Sequence, residues 1–200
     1  MKLIITRHGE TVENVKGIFQ GHLHGQLTKK GIKQAEKLAE RLRDEKIDII
    51  LSSDLKRASD TAREVTKHHL NIPIYFLKEL RERNMGCAEG KSKEELGWNK
   101  VEDRTKIMDR MNAEPIPKFT LRAKKFNENL LEKLLGKNVL LVGHRGINLA
   151  IIADILNQEW VKFCNKNPQK NTSLTIFKFN KNKEPELKLM NCVKHLGDSK

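Results

Sequence analysis

Leu3-Ile4-Ile5-Thr6-Arg7-His8-Gly9 is an apolar run that ends abruptly in a cation, an imidazole and a glycine. The same order returns at Val139-Leu140-Leu141-Val142-Gly143-His144-Arg145-Gly146. Short, continuously apolar runs of this kind read as strands covered on both faces, the signature of a parallel sheet between helix layers. In an open α/β sheet ligands bind beyond the carboxyl ends of the strands. Two neighbouring strands of this pattern therefore aim His8 and His144 into one crevice.

Around these runs the chain alternates. After the first strand, Lys2 to Thr6, comes a polar loop through Gly25, and then a helix from a Thr28 cap with Ile32, Ala35, Leu38, Ala39 and Leu42 on its apolar side. Ile47 to Leu51 is a second strand, and Ser53 or Asp54 caps a helix buried through Leu55, Ala58, Ala62 and Val65. Ile72 to Phe76 makes a third strand. Residues 78–117 are charged, aperiodic and broken by glycine and proline, an excursion of loop and short helix over the site. A helix from about Phe119 to Leu135, the strand Asn138 to Val142 and a helix through Leu156 follow. Thr172 to Phe179 and Leu187 to Val193 close the chain as strands. The order predicts one domain over residues 1–200: a three-layer α/β/α fold with a mostly parallel central sheet.

Composition narrows the function. Two hundred residues, 38% of them hydrophobic, suffice for one core. Three cysteines without a C-x-x-C pair argue against a disulfide framework and for a reducing compartment. No apolar run approaches the roughly 20 residues of a membrane helix, so a soluble, cytoplasmic protein with no membrane partner is expected. The net charge of +13 comes mostly from lysines scattered among acids, without the aromatic interleaving of a single-strand platform. It fits a small acidic substrate, and no nucleic-acid partner is expected. His22 and His24 form an H-x-H with no carboxylate or cysteine cluster to complete it, so neither metal nor cofactor is expected. Oligomeric state is unreadable. Arg7, Arg57 and Arg145 supply always-charged forks suited to phosphate, and Arg57 stands near a helix N-terminus, which also favours anions.

The chain resembles the histidine phosphatase superfamily, the phosphoglycerate mutase-like proteins. The matching pieces are R-H-G-E-T (Arg7 to Thr11), Asn14, G-x-F-Q-G (Gly17 to Gly21), Leu27-Thr28 with Gly31, and S-S-D-L-x-R-A-x-D-T-A (Ser52 to Ala62). Further on come L-R-E-R-N-M-G-x-x-E-G (Leu80 to Gly90), Gly143-His144, N-x-S at Asn171 and the closing N-x-x-x-H-L from Asn191. The resemblance implies a phosphomonoester hydrolase acting through a phosphohistidine at His8 on a small phosphorylated metabolite. His144, Arg7 and Arg57 would surround the phosphoryl group, and Glu82 would be the acid/base, with Glu79 and Glu89 as competing carboxylates. Gly9, Thr11, Asn14, Gln20, Gly21, Arg83 and Arg145 are the candidate substrate contacts. Cations beside an imidazole disfavour its protonated form, and only the neutral ring attacks phosphorus.

Two readings compete: a cofactor-dependent phosphoglycerate mutase, and a non-catalytic phosphate-ligand or nucleic-acid binding module. The segment between Gly90 and Gly143 is shorter than in the mutases and resembles the phosphatase branch. Two departures stand out. Arg145 occupies the place after the second histidine where the family usually has glycine or serine, and the G-E-S segment before the long helix is replaced by Pro115-Ile116-Pro117-Lys118.

Overall fold

The computed structural model describes residues 1–100 and 104–197; three residues of the 78–117 excursion, 101–103, lie outside the described set. Six strands form one sheet: β1 (Lys2–Arg7), β2 (Ile49–Ser53), β3 (Ile74–Leu77), β4 (Asn138–Gly143), β5 (Leu174–Phe179) and β6 (Pro185–Cys192). Their order is β3-β2-β4-β1-β5-β6. The first four run parallel, β5 adds antiparallel to β1, and β6 adds antiparallel to β5 at the edge. The helices are α1 (Val12–Val15), α2 (Lys29–Leu42), α3 (Lys56–Thr66), α4 (Arg104–Arg110), α5 (Ile116–Lys133), α6 (Arg145–Ile155) and α7 (Trp160–Lys166).

Alternation along the strands builds the two covering layers. Leu3 and Ile5 pack with Leu141, Phe119, Ala123 and Ile147 under α5 and α6, whereas Ile4 packs with Leu140, Leu38, Ala39, Ala58 and Ala62 under α2 and α3. The excursion carries a small core of its own: Ala88, Ile107, Met108 and Ala113 are buried together, with Phe19 and Met85 packed against them.

Several boundaries differ from expectation. β2 and β3 both begin at the second or third residue of their apolar runs, and Tyr75 and Phe76 are exposed because β3 is the sheet edge. Thr28 does cap α2, its hydroxyl accepting from the Gly31 amide, but Ile32 is 43% exposed and lies off the buried stripe. The cap of α3 is Leu55 with no side-chain bond. Ser53 and Asp54 are drawn elsewhere, Ser53 to His144 and Asp54 into a bidentate pair with Arg81. The short helices α1 and α7 have no periodic stripe to announce them. Among the described residues no helix is long and apolar enough to cross a membrane, and the three cysteines are free.

Candidate active site

Register alone brings the two histidines together. β1 and β4 are parallel neighbours with Arg7 opposite Gly143, so His8 and His144 follow the last paired positions side by side. Parallel strands lie about 4.8 Å apart, and the imidazole centroids are 5.2 Å apart. The His8 amide donates to the Gly143 carbonyl at 3.0 Å, which extends the ladder into the site.

His8 is 3% exposed. Its Nδ1 lies 2.7 Å from the Gly9 carbonyl. A carbonyl only accepts, so Nδ1 carries the proton and the lone pair is on Nε2. Burial, then Arg57 and Arg7, hold the His8 pKa well below its ordinary value. The neutral ring is thus its resting form at neutral pH.

His144, fully buried, has the opposite tautomer. Arg57 Nε donates to His144 Nδ1 at 3.1 Å, which leaves the proton on Nε2, 2.8 Å from the Ser53 hydroxyl. Burial and then Arg57 push its pKa well below the usual value as well.

The two arginines are not equivalent. Arg57 is 1% exposed and commits four of its five N–H donors to the chain: Nε on His144, NH1 on the Leu23 and His24 carbonyls (the latter at 3.2 Å), NH2 on the Gly21 carbonyl at 2.9 Å. Arg7 has one protein acceptor among the described residues, the Gln169 carbonyl, 2.8 Å from NH1, and its Nε is buried with none. A buried charged donor without a partner is costly unless an anion arrives. Burial lowers both arginine pKa values to about 10, so both stay cationic at neutral pH.

Glu82 follows a one-turn helix after β3. Its Oε1 accepts from the Arg83 amide at 2.8 Å and its Oε2 from the Gly146 amide, in the first turn of α6, at 2.9 Å. Gly146 permits this approach: a Cβ there would overlap the carboxylate, with Cδ of Glu82 only 3.0 Å away. Among the carboxylates, Glu82 does most to favour the charged form of both Arg7 and Arg57. Of the competing carboxylates, Glu89 accepts from the His22 and Met85 amides, bracing two loops. Glu79 lines a separate groove beside α5.

The remaining candidates divide. Thr11 and Asn14 close a capping box on α1, and Asn14 Oδ1 also accepts from Asn171, which binds the His8 carbonyl at 2.9 Å. The Gly9 amide donates to Thr61 Oγ1, and a Cβ at Gly9 would stand 2.5 Å from the Gly31 carbonyl oxygen, so its role is close packing under α2. Gly21 offers its carbonyl to Arg57, and Gln20 is buried with Oε1 unpartnered. Arg83, buried, donates to the Glu114 carbonyl, while Arg145, exposed, donates to that of Cys164; both line a cleft beside Glu82. His22 and His24 diverge, one to the Glu82 carbonyl and the other to the Lys56 amide. No group of three or more metal-ligating side chains occurs among the described residues. Ser53, Thr61 and Gln169 escaped notice as neighbours of the site because their contacts join segments far apart in the chain.

Known proteins share this arrangement of strands and loops. The adenosylcobalamin/alpha-ribazole phosphatase of Salmonella typhimurium is 36% identical over 162 residues, 78% of this chain and 80% of that protein. A broad-specificity phosphatase of Saccharomyces cerevisiae is 32% identical over 99% of this chain and 88% of its own. The crystal structure of the alpha-ribazole phosphatase from Shigella flexneri superposes with a TM-score of 0.85 at 29% identity, covering 96% of each chain. Residues 3–193 match the family model of the histidine phosphatase superfamily, branch 1, and the chain belongs to that superfamily.

Proposed function

We propose that this protein hydrolyses phosphomonoesters of small acidic metabolites in two steps through a phosphohistidine at His8. The observation that carries the reading is the His8 ring: Nδ1–H committed to the Gly9 carbonyl, Nε2 free to attack, protonation opposed by burial and two arginines. Arg7, with its unpartnered Nε, takes the incoming phosphoryl oxygens.

In the first step His8 Nε2 forms the bond to phosphorus while the bond to the substrate oxygen breaks in line, and Glu82 gives that oxygen a proton. In the second, a water attacks the phosphohistidine, Glu82 takes its proton, the N–P bond breaks and inorganic phosphate leaves. Arg57 contributes mainly field, since four of its five donors hold the Gly21–His24 loop and His144. His144 supports the site through Arg57 and Ser53, and its Nε2 proton reaches a phosphoryl oxygen only after leaving Ser53.

The cleft beside Glu82 is rimmed by exposed Lys93 and Arg145. A solvent-exposed rim beside the proposed proton-transfer group favours hydrolysis over mutase transfer, where water must be kept out. A carboxylate facing the anion-binding arginines argues against a module that only binds phosphate, because it would repel the ligand. Quenching with labelled substrate should trap an acid-labile, base-stable phosphoprotein in the wild type and none in His8→Ala. A His8→Ala protein that turned over normally would sink the reading.

A further inference from the structure

Hydrolysis at His8 leaves open which alcohol departs, and the cleft beside Glu82 speaks to that. Glu82 is on its lining, so an alcohol whose oxygen takes a proton from Glu82 has this cleft beside it. The volume is about 550 Å³, within the range of about 300–1,000 Å³ typical of sites that enclose drug-sized ligands. A three-carbon alcohol would leave most of it to water.

The walls are of two kinds. Phe19, Trp98 and Trp160 give aromatic surface, with the Phe19 and Trp98 rings edge to face at 4.9 Å, and Met85 and Met108 add pliable thioethers. The charged groups on the lining are Arg83, Lys93 and Arg145 against Glu82 alone. Arg83 is anchored by Nε on the Glu114 carbonyl at 2.6 Å, and Arg145 by NH2 on the Cys164 carbonyl at 3.3 Å. Neither guanidinium forms a close ion pair among the described residues; Glu114, Asp109 and Glu82 partly offset the charge of Arg83, so Arg145 is the fork more open to an anion brought by the ligand.

We propose that the cleft selects phosphomonoesters whose alcohol is bulky and apolar and carries a second anionic group, gripped by Arg145 with Arg83. The inference rests on the hydrolase reading and sharpens it. An alcohol bearing an ammonium is disfavoured, because three cations face one carboxylate. Small polar alcohols lack the surface to cover the aromatic wall.

The test compares phenyl phosphate with 3-carboxyphenyl phosphate, and O-phosphocholine as a cationic alcohol, by kcat/KM. A charge-assisted, partly desolvated contact should favour the carboxylated ester by about tenfold, mainly through KM. The preference should shrink as salt rises, and O-phosphocholine should be the poorest of the three. Arg145→Gln and Arg83→Gln should each move the ratio of the two aryl esters toward one. Equal kcat/KM for both esters in the wild type, or a preference that survives both substitutions, overturns the inference while leaving the hydrolase intact. If neither ester is hydrolysed and no phosphohistidine is trapped, it is the hydrolase reading that has failed.

Discussion

Replacing Gly146 by alanine isolates the proton-transfer step from the rest of the chemistry. A Cβ at 146 would overlap the Glu82 carboxylate, with Cδ only 3.0 Å away, against ordinary carbon contacts of about 3.5–4.0 Å. The obstacle is the end of a flexible side chain, so Glu82 yields and the fold survives. Its carboxylate must retreat by about 1 Å and surrender the bond from the Gly146 amide. A displacement of that size costs on the order of 100-fold, or about 2.7 kcal/mol of transition-state stabilisation at 1.36 kcal/mol per decade. Alanine inside a helix meanwhile gains about 0.5–1 kcal/mol over glycine, so Tm should hold or rise. The assay is kcat/KM, which reports the first irreversible step, for an alkyl phosphate and for 2,4-dinitrophenyl phosphate. The alkoxide needs a proton and the dinitrophenolate does not. The alkyl ester should lose about 100-fold, the dinitrophenyl ester less than about tenfold. Equal losses on both, or no loss on the alkyl ester, would refute Glu82 as the proton donor.

The arginines should separate by readout. Arg7→Ala should weaken competitive inhibition by inorganic phosphate with little change in unfolding midpoint, since Arg7 holds one carbonyl and a vacant buried donor. Arg57→Ala strips the Gly21 and Leu23 carbonyls and His144 Nδ1 of their donor, leaving the His24 carbonyl only the residue-57 amide, and should cost about 3 kcal/mol or more in urea denaturation. pH gives a third test. His8 and His144 titrate well below 6.5 in the fold and near 6.5 when unfolded, so below about pH 6.5 the unfolded chain binds protons that the native chain refuses. Stability should therefore fall as pH drops, by up to about 1.4 kcal/mol per pH unit for each histidine, and His8→Asn should flatten that slope. Gly9→Ala meets the Gly31 backbone at 2.5 Å, where nothing flexible can yield; overpacking of this kind costs about 1–3 kcal/mol, readable as a lowered thermal midpoint.

Strand identity and the placement of each histidine at a strand end are local properties of the sequence. Leu3-Ile4-Ile5 and Val139-Leu140-Leu141-Val142 read as buried strands, and a histidine stands within three residues of the end of each run. Thr28 as a cap is equally local, because it needs only an amide three residues on. Glu82 could be picked out from Glu79 and Glu89 only by resemblance, since all three stand in one charged, aperiodic stretch. What separates them is which distant backbone amides they meet, Gly146 for Glu82 and His22 for Glu89.

By itself, then, the sequence determined an α/β fold with two strand-end histidines and cations beside them, because periodicity and strand-end placement are encoded in neighbouring residues; the adjacency of β1 and β4 puts the two in one crevice. Only the tertiary structure decided that Arg57 is a scaffold and Arg7 a vacant fork, that His8 and His144 hold opposite tautomers, that Gly146 makes room for Glu82, and that Arg145 faces the cleft. Each of these depends on which donor finds which acceptor across the sheet order β3-β2-β4-β1-β5-β6. Hydrogen-bond partnership between segments far apart in the chain, 163 residues between Asn171 and the His8 carbonyl, is set by packing in space, and no local pattern records it.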